Sequence, residues 1–270
     1  MFKHLSITKR LNMYKLISYI ITLVSKLERL YFLKNSSNQS NSPLLKNGFV
    51  LHYNENINLN KLKIKEEFKL SNYSSKLIIE EESLKAFVKS ILKDSQIQNE
   101  LLGFFNSPFS IDFITYYRTY SLPEKLQNKS FYANHWHTDT LLTENSVKIL
   151  CLPSSINSAK GPFQALSLKE TLCLTSNGFM RGENLPNIQL QENPSLVFDG
   201  KESKVLFVRP NLCMHKAGIP NANEHRDQLM IQLNPAKNWS YREDLFNMQY
   251  QREPTLAFIK NTLRKKITLT

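Results

Sequence analysis

The segment Asn134-His135-Trp136-His137-Thr138-Asp139 places three metal-ligating side chains within five residues of a chain that has six histidines in all. In an extended strand, residues two apart point the same way and lie about 6.6 Å apart, so His137 and Asp139 can converge on one ion. His135 and Asp139 are roughly 13 Å apart in that geometry and share no ion without a sharp bend. The His-x-Asp pair therefore supplies two ligands and needs a third from another strand.

His215 is the candidate. It sits in Leu212-Cys213-Met214-His215-Lys216-Ala217-Gly218, where an apolar run enters a turn marked by Gly218, Pro220 and Asn221. Two neutral imidazoles and one carboxylate on one face of an octahedral iron(II) leave three adjacent positions open. Two of these suit a chelating 2-oxo acid, and the third suits dioxygen beside the carbon to be oxidised. A small residue at position 139 would make room for a halide, whereas Asp139 favours hydroxylation.

Arg226 follows His215 by eleven residues, across the turn and at the head of the next strand. A guanidinium there can hold the far carboxylate of 2-oxoglutarate through two parallel charge-assisted hydrogen bonds, which a lysine cannot copy. On that strand Arg226, Gln228, Met230 and Gln232 share one face, and Leu229, Ile231 and Leu233 the other, so Gln228 also looks toward the co-substrate.

These residues must be carried by a scaffold of strands. Beyond Ser110 the chain turns to short β-branched and aromatic runs at 111–120, 131–142, 147–152, 163–168, 205–208 and 229–233. Gly161, Gly178, Gly182, Gly200 and Gly218 fall among them, where turns need positive φ. Strands this close together predict antiparallel sheets in a sandwich or barrel. Ahead of them, Leu84, Phe87, Val88, Ile91 and Leu92 keep helical spacing behind Ser83 as a predicted N-cap.

Residues 11–33 form a second helical pattern: Leu16, Ile17, Ile20, Leu23, Val24, Leu27 and Leu30 stand opposite Lys15, Ser18, Thr22, Ser25 and Arg29. Its apolar run is too short to cross a bilayer, and no small-residue cleavage site follows it. The pattern predicts packing against the domain and leaves open a position on a membrane surface or a targeting role. The polar stretch 35–42 reads as a linker. The expected organisation is thus a basic helix and linker at 1–43, then one catalytic domain at 44–270 with a β core at about 105–240.

The net charge of +12 is uneven. Seven bases against Glu28 put +6 in residues 1–35, and Lys260, Arg264, Lys265 and Lys266 put +4 in the tail, leaving the middle nearly neutral. A phosphate-binding groove across the domain is therefore not expected, and nucleic acid is not an expected partner. The basic ends keep contact with anionic lipid open. Cys151, Cys173 and Cys213 are odd in number, widely spaced and set in apolar, strand-like runs, which predicts buried, reduced thiols in a cytoplasmic protein.

From Asn47 to Pro235 the chain resembles the phytanoyl-CoA dioxygenase family. The likeness rests on Asn47-Gly48-Phe49-Val50-Leu51, on His135-Trp136-His137-Thr138-Asp139, on Gly161-Pro162-Phe163-Gln164, and on the spacing of His215 to Arg226. It implies a mainly β fold with flanking helices, the double-stranded β-helix or cupin-like jelly roll. It also implies iron(II), 2-oxoglutarate and dioxygen as the reactants around His137, Asp139, His215 and Arg226, and a small-molecule substrate. After Gly161-Pro162 the family's Pro-Gly-Ser-His stretch is replaced by Ala165-Leu166-Ser167-Leu168-Lys169-Glu170. Tyr132, Lys148 and Gln164 are co-substrate candidates only by nearness to the motifs. Two rival readings are a cupin metal site built from His135, His137 and His215, and a jelly-roll scaffold without catalysis. The cupin pattern wants a glutamate three or four residues after the second histidine, and Glu144 comes later than that.

Overall fold

The computed structural model describes residues 7–32, 42–53, 61–129, 131–139, 143–152, 154–177, 194–200, 204–242 and 264–266. In chain order, the first half contains helix α1 (Ile7–Phe32), helix α2 (Pro43–Asn47), strands β1 (Phe49–Tyr53), β2 (Ile64–Ser71) and β3 (Ser74–Ile79), and helices α3 (Glu81–Lys93) and α4 (Ser95–Phe105). Then come β4 (Phe109–Tyr120), β5 (Val147–Cys151), β6 (Phe163–Ala165), helix α5 (Leu168–Ser176), β7 (Leu196–Phe198), β8 (Lys204–Val208), β9 (His215–Lys216), β10 (His225–Pro235), β11 (Ser240–Arg242) and β12 (Arg264–Lys266).

The strands make a nine-stranded sheet with the order β1-β8-β5-β10-β4-β11-β12, with β3 also on β4 and β2 on β3, and a three-stranded sheet β7-β6-β9. The minor sheet is extended by a bridge between His137 and His215. From β4 onward the chain passes back and forth between the sheets: β4, β5, β8 and β10 lie in the large one, and the 137 segment, β6, β7 and β9 on the small one. This is a double-stranded β-helix with α3 and α4 on the outer face of the large sheet and α5 beside the small one.

Alternation along each strand explains the layering. Leu229, Ile231, Ile149, Val205 and Phe207 face α3 and α4, and with Leu84, Phe87, Ile91, Ile97 and Leu101 they form the main core. The opposite parity of the same strands, Leu150, Leu206 and Val208, packs on Phe163, Ala165 and Phe198 of the small sheet. A register shift between Gln232 and Leu233 lets β10 stay paired with β4 to its end.

Several expected boundaries change. Residues 131–139 are irregular apart from bridges at Trp136 and His137, and 140–142 lie outside the described residues. The 163–168 run stops at Ala165, because Ser167 caps α5 and Glu170 reaches back to the Ser167 N–H, a reciprocal capping box. Ser83 is not a cap; Glu80 holds that position, and the Ser83 hydroxyl donates to the Lys61 carbonyl and accepts from the Lys63 N–H. Cys151 and Cys213 are buried as expected, but Cys173 is exposed on α5. Residues 33–41, most of the expected linker, Gly178 and Gly182, and Lys260 lie outside the described residues.

Candidate metal and co-substrate site

A left-handed Ala133 (φ 58) turns the chain into the His-x-Asp segment. Asn134 locks that turn: its Oδ1 accepts from the Phe131 N–H, and its Nδ2 donates to the Lys129 carbonyl at 2.9 Å. The backbone then pairs reciprocally, His137 N–H to His215 carbonyl at 3.1 Å and His215 N–H to His137 carbonyl at 2.9 Å. The Asp139 N–H donates to the Pro210 carbonyl at 2.9 Å. Trp136 points the other way and packs on Leu166 and Met214.

This geometry brings one ligand atom each from His137, Asp139 and His215 within 4.8 Å of one another. The Nε2 atoms of His137 and His215 lie 3.9 and 3.7 Å from Asp139 Oδ1. Each imidazole is oriented from behind: His137 Nδ1 bonds the His135 carbonyl at 2.7 Å, and His215 Nδ1 bonds the Cys213 carbonyl at 2.9 Å. A carbonyl can only accept, so both protons sit on Nδ1 and both Nε2 lone pairs face the cluster. Burial depresses both pKa values, that of His215 to about 3 with the nearby His137 adding to the effect, so both rings are neutral near pH 7. Two neutral imidazoles and one carboxylate gathered this closely are a donor set that fits a divalent transition ion. Among the described residues His135 contributes only its carbonyl, and its ring is outside the cluster, which removes the three-histidine cupin arrangement.

The cluster opens into a cavity of about 350 Å³ that is also lined by Arg226, Gln228, Tyr132 and Lys148. Lys148 Nζ lies 2.5 Å from Asp139 Oδ2. Arg226 is 2% exposed, its Nη1 donates to the carbonyls of Gly161 and Gly218, and its Nε is buried without a hydrogen-bond partner. Gly161 and Gly218 must be glycines for this grip: a Cβ on Gly218 would fall 2.5 Å from the Pro162 carbonyl, and Gly161 has φ +62. Burial lowers the Arg226 pKa to about 10, which still leaves it charged near neutrality. Tyr132 donates to the Tyr120 carbonyl at 2.8 Å, and burial raises its pKa to about 12. A buried guanidinium with no carboxylate partner among the described residues calls for an anionic ligand.

Seven of the eight residues singled out from sequence thus share one cavity. Gln164 does not line it: Phe163 on the same short strand does, and alternation turns Gln164 to the opposite face. Sequence reasoning missed Tyr117 and Thr119, which line the cavity opposite Gln228 and Arg226 on β4. The alternation of 111–120 contained that signal. Leu70 and Ser74, from the β2–β3 hairpin, also line it and had none.

No family model and no curated protein matches the chain at the sequence level. Among solved structures, HygX from Streptomyces hygroscopicus with nickel, 2-oxoglutarate and hygromycin B bound is 14% identical, with 75% of this chain and 89% of that one covered and a TM-score of 0.44. The non-heme alpha-ketoglutarate-dependent epimerase SnoN from nogalamycin biosynthesis is 12% identical, with coverage of 81% and 86% and a TM-score of 0.46. EctD from S. alaskensis with 2-oxoglutarate and 5-hydroxyectoine is 12% identical, with coverage of 77% and 80% and a TM-score of 0.47.

Proposed function

We infer that the protein is an iron(II)- and 2-oxoglutarate-dependent dioxygenase that hydroxylates an aliphatic C–H bond of a small, lipid-like or otherwise compact substrate. The observation that carries this reading is the shared cavity: the two imidazoles and carboxylate of His137, His215 and Asp139 open onto the same space as the buried cation Arg226. His137 and His215 would hold the ion through Nε2, and Asp139 through its carboxylate. Bound iron with the 2-oxo acid supplies dioxygen activation, one oxygen atom ending in the hydroxylated product and the other in succinate, with CO2 released.

The chain's own groups bind and orient. Arg226 would take the distal carboxylate of the co-substrate, with Gln228 and Tyr132 beside it. Lys148, the second cation on the cavity wall, would meet the carboxylate at the other end while keeping Asp139 oriented. Phe131, Leu150, Phe163, Val208 and Met230 give the remaining wall an apolar character that suits a C–H-rich substrate and keeps water out. The three free cysteines fit a reducing compartment, and we place the reaction in the cytoplasm.

The test is conversion of 2-oxoglutarate to succinate with iron(II) and dioxygen. His137→Ala, Asp139→Ala and His215→Ala are each expected to abolish it; full activity in any of them overturns the triad. Arg226→Ala is expected to raise the 2-oxoglutarate KM by roughly a hundredfold, and Arg226→Lys to rescue little of it. Anaerobic addition of iron(II) and 2-oxoglutarate should give the weak visible absorption of the chelate, and its absence from well-folded protein favours a scaffold instead.

A further inference from the structure

Helix α1 is docked by its polar side. Glu28, 1% exposed, accepts hydrogen bonds from the Thr143 hydroxyl and, at 2.9 Å, from Asn145 Nδ2. Ser25 Oγ accepts from the Glu144 N–H at 2.8 Å, and Arg29 Nε donates to Asn145 Oδ1 at 2.7 Å. Among the described side chains of the helix, Ile21 and Phe32 are the buried apolar ones that accompany these residues.

The apolar side faces outward. Leu16, Ile20, Leu23, Leu27 and Leu30 recur at helical spacing and are between 46% and 75% exposed, bordered by exposed Tyr19 and Tyr31. The stripe from Leu16 to Leu30 is about 21 Å long. Lys15 and Lys26 stand eleven residues apart on one flank, Lys9 precedes the stripe, and all three are exposed. At the far end Lys237 Nζ sits 4.0 Å from the Tyr31 ring centroid. The only acid of α1 is Glu28, which is turned inward, so the outer face carries positive charge alone.

We propose that the outer face of α1 is a docking surface for an anionic lipid bilayer, on which the helix lies parallel to the membrane plane with its leucine stripe among the acyl chains. Charge decides between occupants. A second copy of this chain would bring lysine against lysine across a two-fold axis, whereas anionic headgroups complement Lys9, Lys15 and Lys26. Long lysine stems let the ammonium groups reach headgroups from the borders of the stripe, and tyrosine rings suit the boundary between apolar and wet layers. No helix among the described residues is long and apolar enough to cross the membrane. This inference is independent of the catalytic reading.

Co-sedimentation of the full chain with phosphatidylcholine vesicles, with and without phosphatidylserine, tests it. Binding is expected only to the phosphatidylserine vesicles and should weaken with added salt. Combined Lys9→Glu, Lys15→Glu and Lys26→Glu should lower partitioning by roughly a hundredfold or more. Combined Leu16→Ser, Leu23→Ser and Leu27→Ser should abolish it while leaving the melting curve in solution unchanged. In an otherwise unaltered chain, Leu23→Trp should blue-shift its emission on anionic vesicles. Failure to bind either vesicle, or equal binding to both, overturns the proposal. So does a lipid-free dimer that the three serine changes dissociate, since the occupant would then be a second copy.

Discussion

Helices α1 and α3 are both amphipathic, yet they face opposite ways. In α3 the apolar side, Leu84, Phe87, Val88, Ile91 and Leu92, is buried on the large sheet, and Glu81, Glu82 and Lys85 form ion pairs at the surface. In α1 the buried side contains Ser25 and Glu28, and the leucines face out. The difference lies in the receiving surface. The sheet face under α3 offers apolar side chains such as Leu77, Ile149, Phe207, Leu229 and Ile231, so burying apolar area is the favourable option. The segment under α1 offers the Thr143 hydroxyl, the Glu144 N–H and the Asn145 amide, which satisfy polar groups that would otherwise be costly to bury.

The contrast can be broken from either side. Ile91 is fully buried, so Ile91→Ala should destabilise by about 2–5 kcal/mol in denaturant melts, without altering the Asp139 region. A change under 1 kcal/mol would mean that the α3 interface repacks freely. The polar buried regions should respond to pH instead. Burial holds the His215 pKa at about 3 in the folded protein against an ordinary 6.5 for histidine, so the unfolded chain binds a proton that the folded chain refuses. Chelator-treated protein should therefore lose stability as pH falls from about 6.5 toward 3, and His215→Asn should flatten that slope in pH-resolved melts.

Glu28→Ala leaves the Thr143 hydroxyl and Asn145 amide without their carboxylate, at an expected cost of about 1–3 kcal/mol. A neutral result by thermal melt would show that the other contacts of α1, including those of Ile21, Ser25, Arg29 and Phe32, suffice to hold it. The smallest effect sharpens the comparison most. Leu23→Ser, on the outer face of α1, should change stability by less than about 0.5 kcal/mol in solution. A loss like that of Ile91→Ala would mean that another part of the chain covers the stripe.

Much of the site was legible because ligand chemistry is local. A two-residue repeat is enough to turn His137 and Asp139 the same way, and alternation on β10 was enough to pair Arg226 with Gln228 and to send Leu229 and Ile231 to the core. Gln164 was misplaced because nearness to a motif says nothing about strand parity. The strand expected at 131–142 failed for a related reason: Ala133 and Asn134 break the extended pattern, and β-rich composition does not register a left-handed residue. Ser167 and Glu170 did carry a capping signal, three residues apart, which would have ended the 163–168 strand early.

The sequence by itself determined the proposed donor set, the arginine eleven residues beyond its last member, the alternating strands and the amphipathic periods of both helices, because each depends on residue type and short spacing. Only the tertiary structure decided that the carbonyls of His135 and Cys213 orient the imidazoles, that Gly161 and Gly218 grip Arg226, and that α1 presents its leucines to the outside. Those outcomes depend on backbone atoms and on the surface each element meets, and neither is encoded in a residue's own type.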